Sequence, residues 1–148
     1  MTAATERPRV LFLCAHNAAR SQMAEALLRQ MAGDRFDVCS AGLRPTEVHP
    51  LTRHVLKEVD VDPSGLRAEG VELYLAKVKI KYAVVVCEVT QAECPHIYPF
   101  ALETLYWPFE DPVAFSGSPD EKLKKFREVR DQIASRLRAW IVELTEQA

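Results

Sequence analysis

The chain has 148 residues, 48% of them hydrophobic, and 19 Lys+Arg against 21 Asp+Glu for a net charge of −2. That suits one globular domain over residues 1–148 with a polar N-terminal tail at 1–8, and the balance excludes a nucleic-acid partner held by phosphate neutralisation. No apolar run reaches membrane length and the N-terminus lacks a signal-peptide core, so a cytoplasmic monomer with no membrane association is expected. Four cysteines remain to be explained: Cys14, Cys39, Cys87 and Cys94. In a reducing compartment their even number points to catalysis or metal binding before structural disulfides.

Arg9–Cys14 (RVLFLC) is apolar almost throughout, as for a strand buried on both faces. Residues 15–20 form a polar loop. Met23, Ala24, Leu27, Leu28 and Met31 then recur at helical spacing over 21–31, with Gly33 just beyond as a stop. Residues 36–40 predict a second strand, and 50–59 a helix with Pro50 in its first turn. Asp62-Pro63-Ser64-Gly65 is turn chemistry. A short helix is expected over 72–79, a third strand over 82–87 and a fourth over 104–107. Ser118 and Glu121 form a capping box around Pro119, and the apolar stripe from Leu123 to Leu144 predicts a long core-facing helix. The fold class that follows is α/β, a three-layer, four-stranded parallel sheet flanked by helices. Ligands collect at the carboxyl ends of such strands, where Cys14, Cys87 and the segment after Trp107 all fall.

The most informative stretch is Cys14-Ala15-His16-Asn17-Ala18-Ala19-Arg20-Ser21. A cysteine ends a buried strand, five residues intervene, and Arg-Ser opens a helix. The amides of such a loop, with the helix N-terminus, make a nest for a tetrahedral oxyanion. Arg20 can meet two of its oxygens at once, and the same positive field stabilises a thiolate. Ser21 stands within reach of that thiolate, and Asn17 is a residue type that tolerates a left-handed kink in a loop without glycine. The nucleotide-binding patterns GxxxxGK[ST] and GxGxxG are absent. Cys87 and Cys94 are seven residues apart, so an intact helix would hold them ~10 Å apart, and their bonding needs a loop. Two unrelated cysteines, or a zinc site with His96 as third ligand, are the competing readings of that pair. Asp111, in Trp107-Pro108-Phe109-Glu110-Asp111-Pro112, follows a strand end, where an acid can protonate an oxygen leaving the oxyanion. Cys39 is read as a small packing residue.

Val10 to Cys14, Asn17, and Arg20 to Glu25 resemble the signature of the low-molecular-weight protein tyrosine phosphatases and their relatives, the thioredoxin-coupled arsenate reductases. The likeness runs from about Arg9 to Leu137 and takes in Ser40-Ala41-Gly42 and Asp111-Pro112. Within it, Cys87…Cys94 resembles the resolving pair of the reductases. Val113-Ala114 stands where the phosphatases usually continue Asp-Pro with tyrosine. The resemblance implies Cys14 as nucleophile on arsenate, with phosphate or sulfate competing, and Arg20 and Asp111 as anion ligand and acid. Cys87 and Cys94 would relay the disulfide to a flexible surface segment for reduction by thioredoxin. The alternatives are a phosphomonoester hydrolase of the same fold, a reductase using a small-molecule thiol, or a non-catalytic oxyanion sensor. No metal or organic cofactor is required, although some members bind potassium through residues matching Asn17, Glu25 and Ser40. Glu25 has a competing role in fixing the loop by hydrogen bonds.

Overall fold

The computed structural model describes residues 7–74, 78–88, 94 and 98–147. Its elements in chain order are β1 (Arg9–Cys14), α1 (Arg20–Ala32), β2 (Asp37–Gly42), α2 (Pro50–Lys57), β3 (Ile80–Val85), β4 (Ala101–Tyr106) and α3 (Pro119–Gln147). The strands form one parallel sheet in the order β2-β1-β3-β4. Val10, Leu11, Phe12 and Leu13 are all completely buried. Successive strand residues point to opposite faces, so both faces of the sheet are covered and the expected α/β architecture holds.

One face is locked by aromatics. Trp140 of α3 meets Trp107 and Tyr82 edge-on at 5.4 and 5.1 Å and stacks on Phe36 at 5.5 Å. Such pairs add to the burial of large apolar rings, which makes Trp140 the anchor of the long helix. The capping box forms as expected: Glu121 Oε1 accepts from Ser118 N at 2.8 Å, and Ser118 Oγ from Glu121 N at 3.2 Å.

Two elements differ from expectation. The helix predicted over 72–79 is a single 3-10 turn, Val71–Leu73, because only Val71 of that turn is buried; residues 75–77 lie outside the described residues. The fourth strand starts three residues earlier than predicted, at Ala101. It is a half-exposed edge strand paired only with β3, so it lacks the continuous apolar run that marks the inner strands.

The α2–α3 contact is held by charge. Glu58, the C-cap of α2, accepts from Arg127 Nε at 3.0 Å and Nη2 at 2.6 Å, and from Arg130 Nη1 at 2.9 Å. The two guanidiniums hold its carboxyl well below the ordinary value of 4.5, at about 2. A depressed folded-state value adds stability that is complete above the unfolded value and lost as pH falls through the folded one. Glu58→Gln is therefore expected to melt lower by about 1 kcal/mol, roughly 2–4 °C for a domain of this size, near neutral pH. The gap should close between pH 4.5 and 2, read by thermal melts of both proteins across that range.

Candidate active site

β1 is central and short, so its end delivers Cys14 to the carboxyl edge of the sheet. The chain must then turn into α1 within five residues, and Asn17 makes that turn at φ 54°. The turn is fixed from within. Asn17 is completely buried, and its Nδ2 donates to Ser21 Oγ at 2.7 Å and Ser40 Oγ at 3.0 Å. Its Oδ1 accepts from Gln22 Nε2 at 2.9 Å and Glu69 N at 2.8 Å.

The loop is also fixed from outside. The carbonyls of Cys14, Ala15, His16 and Ala18 accept from the backbone N–H groups of Leu43, Arg44, Thr46 and His49, at 3.3, 2.9, 3.1 and 3.0 Å. Asn17 O accepts from Gln22 Nε2 at 2.9 Å. In a trans peptide the carbonyl and the next N–H point opposite ways. With five successive carbonyls turned outward, the N–H groups of residues 15–19 turn toward the concave side, which is the nest geometry for an anion.

That concave side is a pocket of about 190 Å³ lined by Cys14, His16, Ala18, Ala19 and Arg20 of the loop, together with Thr46, Asp111 and Val113. Cys14 is a free thiol and 3% exposed. Arg20 is 2% exposed; its Nη1 donates to Phe109 O at 3.1 Å, and its Nη2 lies 3.4 Å from Asp111 Oδ2. Its Nε is buried with no hydrogen-bond partner. A buried guanidinium donor left unpaired is costly unless an anion completes it. Asp111 is held in place by its own turn, accepting from Val113 N at 3.0 Å.

β3 runs beside β1, with Leu13 paired to Val85 and Val86 N donating to Leu13 O at 2.9 Å. Cys87 therefore emerges beside Cys14, on strands ~4.8 Å apart. Cys87 and Cys94 form a disulfide with Cα atoms 5.9 Å apart. That separation is shorter than the ~10 Å that two turns of intact helix would impose. The disulfide does not lie on the surface as expected: Cys87 is 1% and Cys94 6% exposed, both within the hydrophobic core cluster. His96, the third ligand of the zinc reading, lies outside the described residues. Among the described residues no group of three His, Cys, Asp or Glu side chains is placed to hold a metal. Cys39 sits half-buried on β2, its Sγ 3.5 Å from Val10 O, and burial pushes its thiol up to about 12. That removes it from nucleophilic chemistry at neutral pH.

Sequence reasoning missed the connection from Leu43 to His49, which orients the loop, and the contributions of Thr46 and Gln22. A run of backbone donors carries no side-chain signature. Gly42 was a partial signal. A Cβ there would lie 2.9 Å from both Ala15 O and Asn17 N. Gly42→Ala is thus expected to push the loop outward, weakening phosphate binding at least tenfold by calorimetry and costing about 1–3 kcal/mol in a melt.

The profile of the low molecular weight phosphotyrosine protein phosphatases matches residues 9–148. The chain belongs to that family. Within it, the chain is 34% identical to the arsenate reductase of Halalkalibacterium halodurans over 131 residues, 88% of this chain and 93% of that protein. It superposes on an arsenate reductase in a phosphate-binding state with a TM-score of 0.75 at 28% identity, covering 92% of this chain and 98% of the other. A thioredoxin-dependent arsenate reductase of Corynebacterium glutamicum matches with a TM-score of 0.70 at 28% identity, over 98% of this chain and 65% of the other. No helix among the described residues is long and apolar enough to cross a membrane.

Proposed function

We propose that this protein is an arsenate reductase whose reducing equivalents come from thioredoxin. The observation that carries the reading is the Cys87–Cys94 pair beside a phosphatase-type loop. Hydrolysis of a phosphate ester needs a nucleophile, an anion nest and an acid, and has no use for two further thiols.

With the pair reduced, Cys14 thiolate attacks arsenic of an arsenate held by the loop amides and Arg20. The S–As bond forms as an As–O bond breaks, and Asp111 gives its proton to the departing oxygen, which leaves as water. Ser21, which already accepts from Asn17, has a hydroxyl proton to donate toward the thiolate. Cys87 then attacks Cys14 Sγ. The S–As bond breaks with its electron pair kept by arsenic, so As(V) becomes As(III) and two thiols become one disulfide. Cys94 attacks Cys87 Sγ, frees Cys14 and leaves the Cys87–Cys94 bond for an external dithiol. That bond is buried, so thioredoxin gains access only when Cys87 or Cys94 becomes exposed.

The residues present supply every group in this sequence. Phosphate and sulfate have the same tetrahedral shape and compete for the nest. The test is NADPH consumption with arsenate, thioredoxin and thioredoxin reductase, run beside p-nitrophenyl phosphate hydrolysis. Arsenate-dependent consumption with little hydrolysis supports the reductase. Efficient hydrolysis without arsenate reduction makes the protein a phosphatase, and activity that depends on a small-molecule thiol instead of thioredoxin replaces the proposed reductant.

A further inference from the structure

We infer that Arg29 is a positioning residue for the oxyanion loop, supplying from within the chain the positive charge that a bound monovalent cation would otherwise provide. Asn17, Glu25 and Ser40 do form one cluster behind the loop. Ser40 Oγ accepts from Asn17 Nδ2 at 3.0 Å and donates to Glu25 Oε1 at 2.5 Å. The other carboxylate oxygen, Glu25 Oε2, accepts from Arg29 Nη2 at 2.6 Å. The same nitrogen donates to Val38 O at 2.7 Å, tying α1 to β2. One chain of hydrogen bonds thus runs from the guanidinium through Glu25 and Ser40 to the left-handed residue that shapes the nest.

The cluster does not offer a cation an open set of oxygens. Hard cations need several oxygens with free lone pairs, and Asn17 Oδ1 already accepts from Gln22 and Glu69. The neighbouring carboxylate is closed too, since Glu69 pairs with Arg67 at 3.3 Å and accepts from Tyr74 Oη at 2.6 Å. Two carboxylates face two guanidiniums, so the local charge sums to zero and a further cation would meet Arg29 as a like charge.

The inference rests on the loop being the oxyanion site, and phosphate serves as the probe because it reads the loop without arsenate reduction. Calorimetric titration and thermal melts would compare KCl with NaCl at equal ionic strength. Wild type is expected to bind phosphate equally in both salts and to melt at the same temperature. Arg29→Gln should weaken phosphate binding roughly three- to tenfold, and Arg29→Lys should recover most of that loss. A potassium-specific rise in the wild-type melting temperature or phosphate affinity would overturn the inference, as would wild-type affinity in Arg29→Gln. The wild-type salt comparison stands even if a variant folds poorly. Absence of arsenate reduction in wild type would sink the functional reading and leave this comparison intact.

Discussion

A Cys94→Ser protein is expected to release a single arsenite per molecule and then stop. In the proposed mechanism Cys14 and Cys87 suffice for the redox step, because their two thiols supply both electrons. What they leave is a disulfide between a 3% exposed strand end and a 1% exposed neighbour. Cys14 cannot leave the sheet without unravelling β1, which is paired on both sides. An external dithiol needs an in-line approach to one sulfur, and that position denies it. Passing the disulfide to Cys94 frees Cys14 for the next turnover and leaves the oxidised pair off β1, at Cys87 and Cys94. Rapid-quench arsenite release and steady-state NADPH consumption separate the two phases. Cys14→Ser should show neither, and sustained turnover by Cys94→Ser would remove the relay from the mechanism.

Arg20→Lys is expected to lower kcat/KM for arsenate by about 10²–10³, although the charge is kept. Arg20 uses Nη1 on Phe109 O and Nη2 toward Asp111, which leaves Nε aimed without a partner. An anion in the nest completes that donor and shares the fork, a geometry that a single ammonium cannot reproduce. The substitution also frees Asp111 from a fixed neighbour, so the acid is less well placed. Because the developing negative charge is greatest in the transition state, the loss should fall on kcat more than on KM. Retention of activity within threefold in Arg20→Lys would show that the fork is not used.

The inner part of the fold was legible because its signals are local. β1 is an apolar run with a polar loop on one side, and α1 follows at a clear helical period. The left-handed turn was readable in Asn17, the residue type suited to it in a loop without glycine. The outer part was not. β4 is an edge strand in which no residue is fully buried, so its apolar content is diluted and its start falls outside the pattern. The 3-10 turn at Val71–Leu73 has too few buried residues to show a period.

At the site the same division holds. The order Cys14, five residues, Arg20, Ser21 determined by itself that a thiol, an anion nest and a guanidinium would meet, because each lies within one strand-to-helix turn. The spacing of Cys87 and Cys94 left their pairing open, and only the family resemblance implied it. The tertiary structure alone decided which way the loop amides face, since that depends on backbone N–H groups of residues 43–49 donating to an outward row of loop carbonyls. It alone put Asp111 beside Arg20 and seated the disulfide in the core instead of at the surface. Those are long-range contacts, and their energies come from packing partners that no short window of sequence contains.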